Sequence, residues 1–230
     1  MIIDPDWHYI VKDNFFDQNT YELLLHRFDQ IKENVHIADN EQFNAIHTYR
    51  FNGDTKQNIQ MMNLPIMSIR SMKKSMKVYD NKELETKLID TLNHLRKNSE
   101  TELNNAYSYL TSSLENQKQI IGCSYCLVLS GKHYEYPAHT DLSEKKLSTI
   151  VYIGENNLGT FLSSKHSSDS IRKKRNILES EEILWKSNRG LIFCGKGRPS
   201  FKDDDKLVHY NKSNGKTPRC TVVINLLSGD

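Results

Sequence analysis

Ile120-Ile121-Gly122-Cys123-Ser124-Tyr125-Cys126-Leu127-Val128-Leu129-Ser130 is where this chain changes texture. From here onward, short β-branched and aromatic runs alternate with turn residues, and 123–130, 147–153, 160–163, 183–185, 191–194, 207–210 and 220–227 read as strands. Seven or eight short strands in one block, with helices gathered in another, predict a mainly β sandwich or jelly roll backed by helices (α+β), not an alternating parallel sheet. Within the opening run Cys123 and Cys126 match C-x-x-C. A spacing of three sends two strand side chains to opposite faces, and no second C-x-x-C completes a zinc set, so both read as buried thiols.

Upstream the periodicity is helical. Leu23, Leu24, Phe28 and Ile31 share one face of a helix over 20–31, and Pro65 suits the first position of a helix running through Met76. Leu84, Leu88, Leu92 and Leu95 follow a capping box of Asp80 and Glu83; Leu103, Tyr107, Leu110 and Leu114 follow a second, of Ser99 and Glu102. Two helices stacked end to end are expected. Residues 1–119 thus read as a helical support region with a leading strand and 120–230 as the core, within the single domain that 230 residues suit.

Composition excludes several function classes. Lys and Arg number 31 against 29 Asp and Glu, a formal net charge of +2, which argues against a polyanion binder held by bulk electrostatics. The run Arg172-Lys173-Lys174-Arg175 lacks interleaved aromatics, so nucleic acid is not an expected partner. No run approaches the ~18 apolar residues of a spanning helix, and the start lacks the basic region of a signal peptide. A cytoplasmic protein without a membrane partner is expected, with Cys123, Cys126, Cys194 and Cys220 reduced. The polar stretch 163–180 reads as a long loop, a lid or a disordered tip.

Chemistry concentrates in Tyr134-Glu135-Tyr136-Pro137-Ala138-His139-Thr140-Asp141. In an extended segment residues two apart share a face, so His139 and Asp141 converge while Thr140 opposes them. An imidazole and a carboxylate are two members of the 2-His-1-carboxylate facial triad, which leaves positions open on non-haem Fe(II) for a chelating cosubstrate and O2. Nine His and 29 Asp and Glu in 230 residues yield about one H-x-[DE] by chance, and His133-Tyr134-Glu135 is a second match, so a third ligand is needed. His209, in Lys206-Leu207-Val208-His209-Tyr210, is the candidate, because a jelly roll brings a late strand beside an early one. The plain alternative is a strand histidine with an ordinary hydrogen bond.

Ten residues after His209 stands Arg219, with Thr221 at strand spacing, across an expected hairpin whose loop contains Asn214-Gly215. The guanidinium fork fits a carboxylate, so an inward Arg beside a metal is a clamp for a dicarboxylate that chelates the metal with its other end. A two-residue turn would leave Arg219 on the outer face. A longer or bulged loop over 211–217, with Gly215 at positive φ, brings Arg219, Thr221 and Val223 inward, and that register is the expectation. Asp203-Asp204-Asp205 reads as a solvated turn, since three successive carboxylates cannot all face one ion from an extended strand.

In order and spacing, His139-x-Asp141, His209 and Arg219 resemble the Fe(II)- and 2-oxoglutarate-dependent dioxygenases, in particular their prolyl-4-hydroxylase-like branch. Tyr136 stands three residues before His139, Leu158-Gly159-Thr160-Phe161 takes the place of the family's G-x-T-x-F strand, and Gly190-Leu191-Ile192-Phe193 leads towards the second histidine. The resemblance covers roughly 120–227, with a weaker echo of the family's opening strand in 9–16. It implies a double-stranded β-helix, with iron held by His139, Asp141 and His209. 2-Oxoglutarate would chelate the iron, with its distal carboxylate on Arg219, aided by Thr221 and Tyr152, and with Tyr136 also at the cofactor site. The implied reaction uses O2 to hydroxylate a substrate C–H bond, a peptidyl proline being a family-level guess, with succinate and CO2 as co-products and ascorbate as a candidate reductant. The carboxylate ligand favours hydroxylation over halogenation. One departure stands out: branch members often carry a second tyrosine where this chain has Leu129.

Two other readings remain open at this level. One is a catalytically silent jelly-roll binding module, in which His139 and Asp141 form a structural hydrogen bond and Arg219 an ordinary ion pair. The other is a cupin-type metalloenzyme that does not use 2-oxoglutarate.

Overall fold

The computed structural model describes residues 2–4, 9–51, 59–60, 81–111, 120–141, 145–163, 180–194 and 207–228. In chain order the elements are β1 (Ile2–Asp4), β2 (Tyr9–Lys12), α1 (Gln18–Asn34), β3 (Gln42–Phe51), β4 (Ile59–Gln60), α2 (Lys82–Thr111), β5 (Ile120–Ser130), β6 (Glu135–His139), β7 (Lys145–Ile153), β8 (Thr160–Ser163), β9 (Glu181–Ile183), β10 (Gly190–Phe193), β11 (Val208–Lys212) and β12 (Arg219–Ser228). The strands form two antiparallel sheets. The larger runs β1-β2-β10-β7-β12-β5-β3-β4 and the smaller β6-β11-β8-β9. This is the mainly β architecture with supporting helices that the strand-rich block predicts. The expected helix after Pro65, most of the 163–180 loop, the basic run and Asp203-Asp204-Asp205 lie outside the described residues. Among the described residues no helix is long and apolar enough to cross a membrane.

Strand alternation divides the large sheet into two faces. Cys123, Tyr125, Leu127 and Leu129 of β5, Cys220, Val222, Ile224 and Leu226 of β12, and Phe43, Ala45 and Tyr49 of β3 join the core beneath the helices. Their neighbours Ser124, Cys126, Val128 and Ser130, then Thr221, Val223 and Asn225, then Gln42, Asn44, Ile46 and Thr48 face a cavity. Both faces of β5 are covered, which is why it reads as an almost continuous apolar run. Cys123 and Cys126 sit on opposite faces as free buried thiols.

Asp17 caps α1, its carboxylate accepting from the Thr20 backbone N and hydroxyl at 2.9 Å each. The helix buries Leu24, Phe28 and Ile31. Beside it, α2 corrects the expectation of two helices: it is one helix of 30 residues, about 45 Å at 1.5 Å per residue. Ser99 does not cap a second segment; its hydroxyl donates to the Leu95 carbonyl one turn back at 2.7 Å, which keeps the helix continuous. Buried Leu84, Leu88, Leu92, Leu95, Leu103, Ala106 and Leu110 continue one stripe through it. The cap at its start is Asn81, whose side chain accepts from Leu84 N at 3.0 Å, one residue later than the expected Asp80. A further correction is β3, which lies in the half read as helical. Its alternation, Phe43, Ala45, His47 and Tyr49 against Gln42, Asn44, Ile46 and Thr48, is a period-two signal.

The expected hairpin between the His209 and Arg219 strands does not form. β11 pairs with β6 and β8, whereas β12 pairs with β5 and β7, so 213–218 crosses from one sheet to the other. Gly215 does take positive φ, +78°, within this crossing. Gly159, at the entry to β8, leaves no room for a side chain, since a Cβ there would sit 1.8 Å from the Ile183 carbonyl oxygen.

Candidate metal centre

His139 ends β6 and His209 lies directly opposite it on β11, with their ring centroids 4.2 Å apart. Asp141 follows two residues beyond His139, and one ligand atom from each of the three lies within 4.8 Å of the others. The rival pair does not join them: Glu135 is exposed and pairs across the strands with Lys212, and His133 is exposed in the turn before β6.

Each member of the set is held in a state suited to metal binding. His139 Nδ1 lies 2.9 Å from the Pro137 carbonyl. A carbonyl only accepts, so Nδ1 carries a proton and Nε2 is the ring nitrogen that would ligate a metal. His209 is buried, and burial pushes it down to about 3, with Asp141 opposing and His139 and Lys145 assisting, so the imidazole is neutral. Its Nδ1 is buried with no hydrogen-bond partner, and Phe193 packs against the ring at 4.8 Å. The Asp141 side chain is 3% exposed. Burial opposes its ionisation, but the Lys145 ammonium and the Ser148 hydroxyl pull the other way, and the carboxyl lies below its ordinary value. Lys145 Nζ reaches Oδ1 at 3.0 Å and Ser148 Oγ reaches Oδ2 at 2.5 Å.

The three residues open on a cavity of about 390 Å³ between the sheets, and Arg219 lines the same cavity. Arg219 is 2% exposed, and among the described residues no carboxylate pairs with it. Its donors reach the Leu158 carbonyl at 3.4 Å and Thr160 Oγ1 at 3.3 Å. The guanidinium also lies 5.7 Å from the Tyr152 ring and 5.5 Å from the Trp185 ring, which stack on each other. Burial lowers it to about 10, so it stays cationic at neutral pH.

The remaining expected residues fall as follows. Thr221 is buried and lines the cavity, and Tyr136 lines it with its ring 4.5 Å from that of His139. The Tyr152 hydroxyl is committed elsewhere, accepting from Thr160 N at 2.9 Å and donating to the Ile183 carbonyl at 3.2 Å, so Tyr152 supports Arg219 through its ring. Leu129, the position of the missing tyrosine, points into the core beneath the helices, where a hydroxyl would not reach the cavity. Its neighbour Ser130 does reach it: buried, cavity-lining and directly opposite Arg219 across the strands, with Gln42 opposite Ser130 in turn. Sequence reading missed Ser130, Gln42, Ser148 and Asn225; only the alternation along each strand hinted at their face.

No protein-family model matches the chain, and no curated protein does. Solved structures do. A prolyl 4-hydroxylase from Phytophthora capsici matches at 14% identity and a TM-score of 0.52, over 98% of this chain and 60% of that one. An oxidoreductase of the 2OG-Fe(II) oxygenase family from Burkholderia pseudomallei matches at 11% identity and 0.51, over 99% and 93%. A Pseudomonas putida prolyl-4-hydroxylase matches at 9% identity and 0.46, over 97% and 94%. The chain thus shares its overall fold with the Phytophthora capsici prolyl 4-hydroxylase and the Burkholderia pseudomallei oxidoreductase of the 2OG-Fe(II) oxygenase family.

Proposed function

We propose that this chain is an Fe(II)- and 2-oxoglutarate-dependent dioxygenase that hydroxylates a substrate C–H bond, built as a single domain on a double-stranded β-helix. The observation that carries this reading is one cavity holding both a His-Asp-His ligand set and a buried guanidinium that no carboxylate pairs with among the described residues. The donor set fits the metal: the neutral imidazole of His209, with its orphaned Nδ1, the imidazole of His139 and one carboxylate match the facial triad and supply one negative charge to a divalent ion.

His139, Asp141 and His209 would hold the iron, and Arg219 would take the distal carboxylate of 2-oxoglutarate with hydroxyls from Thr221 and Ser130. When bound, the iron supplies the oxidation of 2-oxoglutarate by O2 to succinate and CO2, coupled to hydroxylation of the substrate. Around it the protein orients and excludes. Pro137 fixes the His139 tautomer, Ser148 and Lys145 fix Asp141, and Phe193, Ile150 and Val223 keep bulk water from the ligands. Tyr136, exposed at the rim and against His139, stands where an entering substrate would meet it. The substrate is a protein, a peptide or a small molecule, and a cytoplasmic setting suits the four free thiols.

Anaerobic titration tests the reading. Fe(II) and 2-oxoglutarate together are expected to raise a weak visible charge-transfer band that neither gives alone, and aerobic samples with ascorbate are expected to form succinate slowly. Metal binding without a response to 2-oxoglutarate would move the chain to a cupin-type metalloenzyme, and binding of neither to a silent module.

A further inference from the structure

A row of polar side chains crosses the cavity floor. Asn225 on β12 lies directly opposite Ser148 on β7 and Ser124 on β5, and Ser124 lies opposite Thr48 on β3. All four line the cavity, and the row ends at Asp141 through the Ser148 hydroxyl. We propose that Asn225 is a positioning residue for Asp141: its amide donates to Ser148 and thereby commits the single Ser148 proton to the carboxylate. This rests on the metal-centre reading above.

The argument is a proton count. Ser148 Oγ stands 2.5 Å from Asp141 Oδ2 and 2.9 Å from Asn225 Oδ1, two acceptors for one hydroxyl proton. Asn225 Nδ2 meanwhile stands 3.1 Å from Ser124 Oγ. The ionised carboxylate is the stronger acceptor and takes the proton, which leaves Asn225 Oδ1 against a hydroxyl lone pair. A half-turn of the amide removes the conflict. Nδ2 then donates to Ser148 Oγ, and Oδ1 accepts from the Ser124 hydroxyl. Each of the three hydrogen bonds linking Ser124, Asn225, Ser148 and Asp141 then has one donor and one acceptor, and polar groups as buried as Ser148 and Asn225 require such pairing. Without the amide donor, the Ser148 hydroxyl is free to rotate away from Asp141.

The test is a double-mutant cycle read by Co(II) affinity, using chelator competition on the full chain, and by the visible spectrum of bound Co(II). Ser148→Ala is expected to weaken binding about 10-fold, and Asn225→Ala to weaken it roughly 3- to 10-fold. Because Asn225 acts through Ser148, the double variant should bind within about twofold of Ser148→Ala, and both single variants should shift the Co(II) bands in the same direction. Asn225→Leu, which keeps the side-chain volume, serves if Asn225→Ala does not fold. Additive losses, or Asn225 variants with the wild-type affinity and spectrum, would overturn the proposal. A His139→Ala control separates the two levels. If it binds Co(II) like the wild type, the metal centre itself is refuted; if it loses Co(II) while the cycle is additive, only the role of Asn225 is refuted.

Discussion

Replacing Arg219 by Gln should make the ligand-free protein more stable while removing its ability to hold a dicarboxylate. The structure supplies both signs. Burial lowers Arg219 from an ordinary 12.5 to about 10, which corresponds to roughly 3 kcal/mol by which the interior disfavours its charged form. Against this stand two long hydrogen bonds and the contacts with Tyr152 and Trp185, together worth about 2 kcal/mol. Arg219→Gln therefore gains about 1 kcal/mol without ligand, a rise in Tm of about 2–4 °C for a chain of this size. With 2-oxoglutarate the sign reverses. Loss of a charge-assisted bidentate contact costs about 2–3 kcal/mol, a roughly 30- to 150-fold weaker Kd. Thermal unfolding with and without 2-oxoglutarate, alongside calorimetric titration, reads both effects. A variant that is less stable without ligand, yet binds 2-oxoglutarate with unchanged affinity, would refute the reasoning.

Alanine at His139, Asp141 or His209 should abolish stoichiometric iron, whereas His133→Ala and Glu135→Ala should retain it; metal content by atomic absorption decides, and equal losses at His133 and His139 would sink the assignment. His209 stands at about 3 in the fold against 6.5 unfolded, so the unfolded chain binds the extra proton between those values. Metal-free stability from this source is therefore present above about 6.5 and lost as pH falls towards 3, by up to about 1.4 kcal/mol per pH unit. Urea unfolding from pH 7 to pH 4.5 should show that slope, and His209→Gln should flatten it. Gly159→Ala forces a Cβ against the Ile183 carbonyl and should cost at least about 1–3 kcal/mol in urea unfolding, with no loss expected only if β8 and β9 do not meet there.

Local pattern made the C-terminal strand block legible. The runs from Ile120 to Leu227 are short, β-branched and bounded by turn residues, and each appears as a strand within a few residues of its expected limits. Two residues of the candidate metal centre were legible for the same reason: the two-residue spacing of His139 and Asp141 decides a face without knowledge of any partner. β3 was legible in principle from its alternation, but its Gln, Asn and His residues conceal an apolar period that only the helices above it complete. α2 was misjudged because Ser99 and Glu102 carry a capping signature, and whether Ser99 caps or bonds back to Leu95 depends on the Leu stripe continuing into a buried surface.

What the sequence determined by itself was therefore which residues share a face along each strand, while His139, Asp141, His209 and Arg219 stood out as a set only through the resemblance in their order and spacing. Which strand lies beside which was decided only in the tertiary structure, because pairing energy is gained between segments far apart in the chain. That is why His209 and Arg219, ten residues apart, belong to different sheets, and why Leu129 turns away from the cavity while Ser130 enters it beside Arg219. It is also why Ser148 and Asn225, 77 positions apart, meet behind Asp141. Alternation is a property of one strand, whereas a site built across seven of them exists only when both sheets have closed around their shared interior.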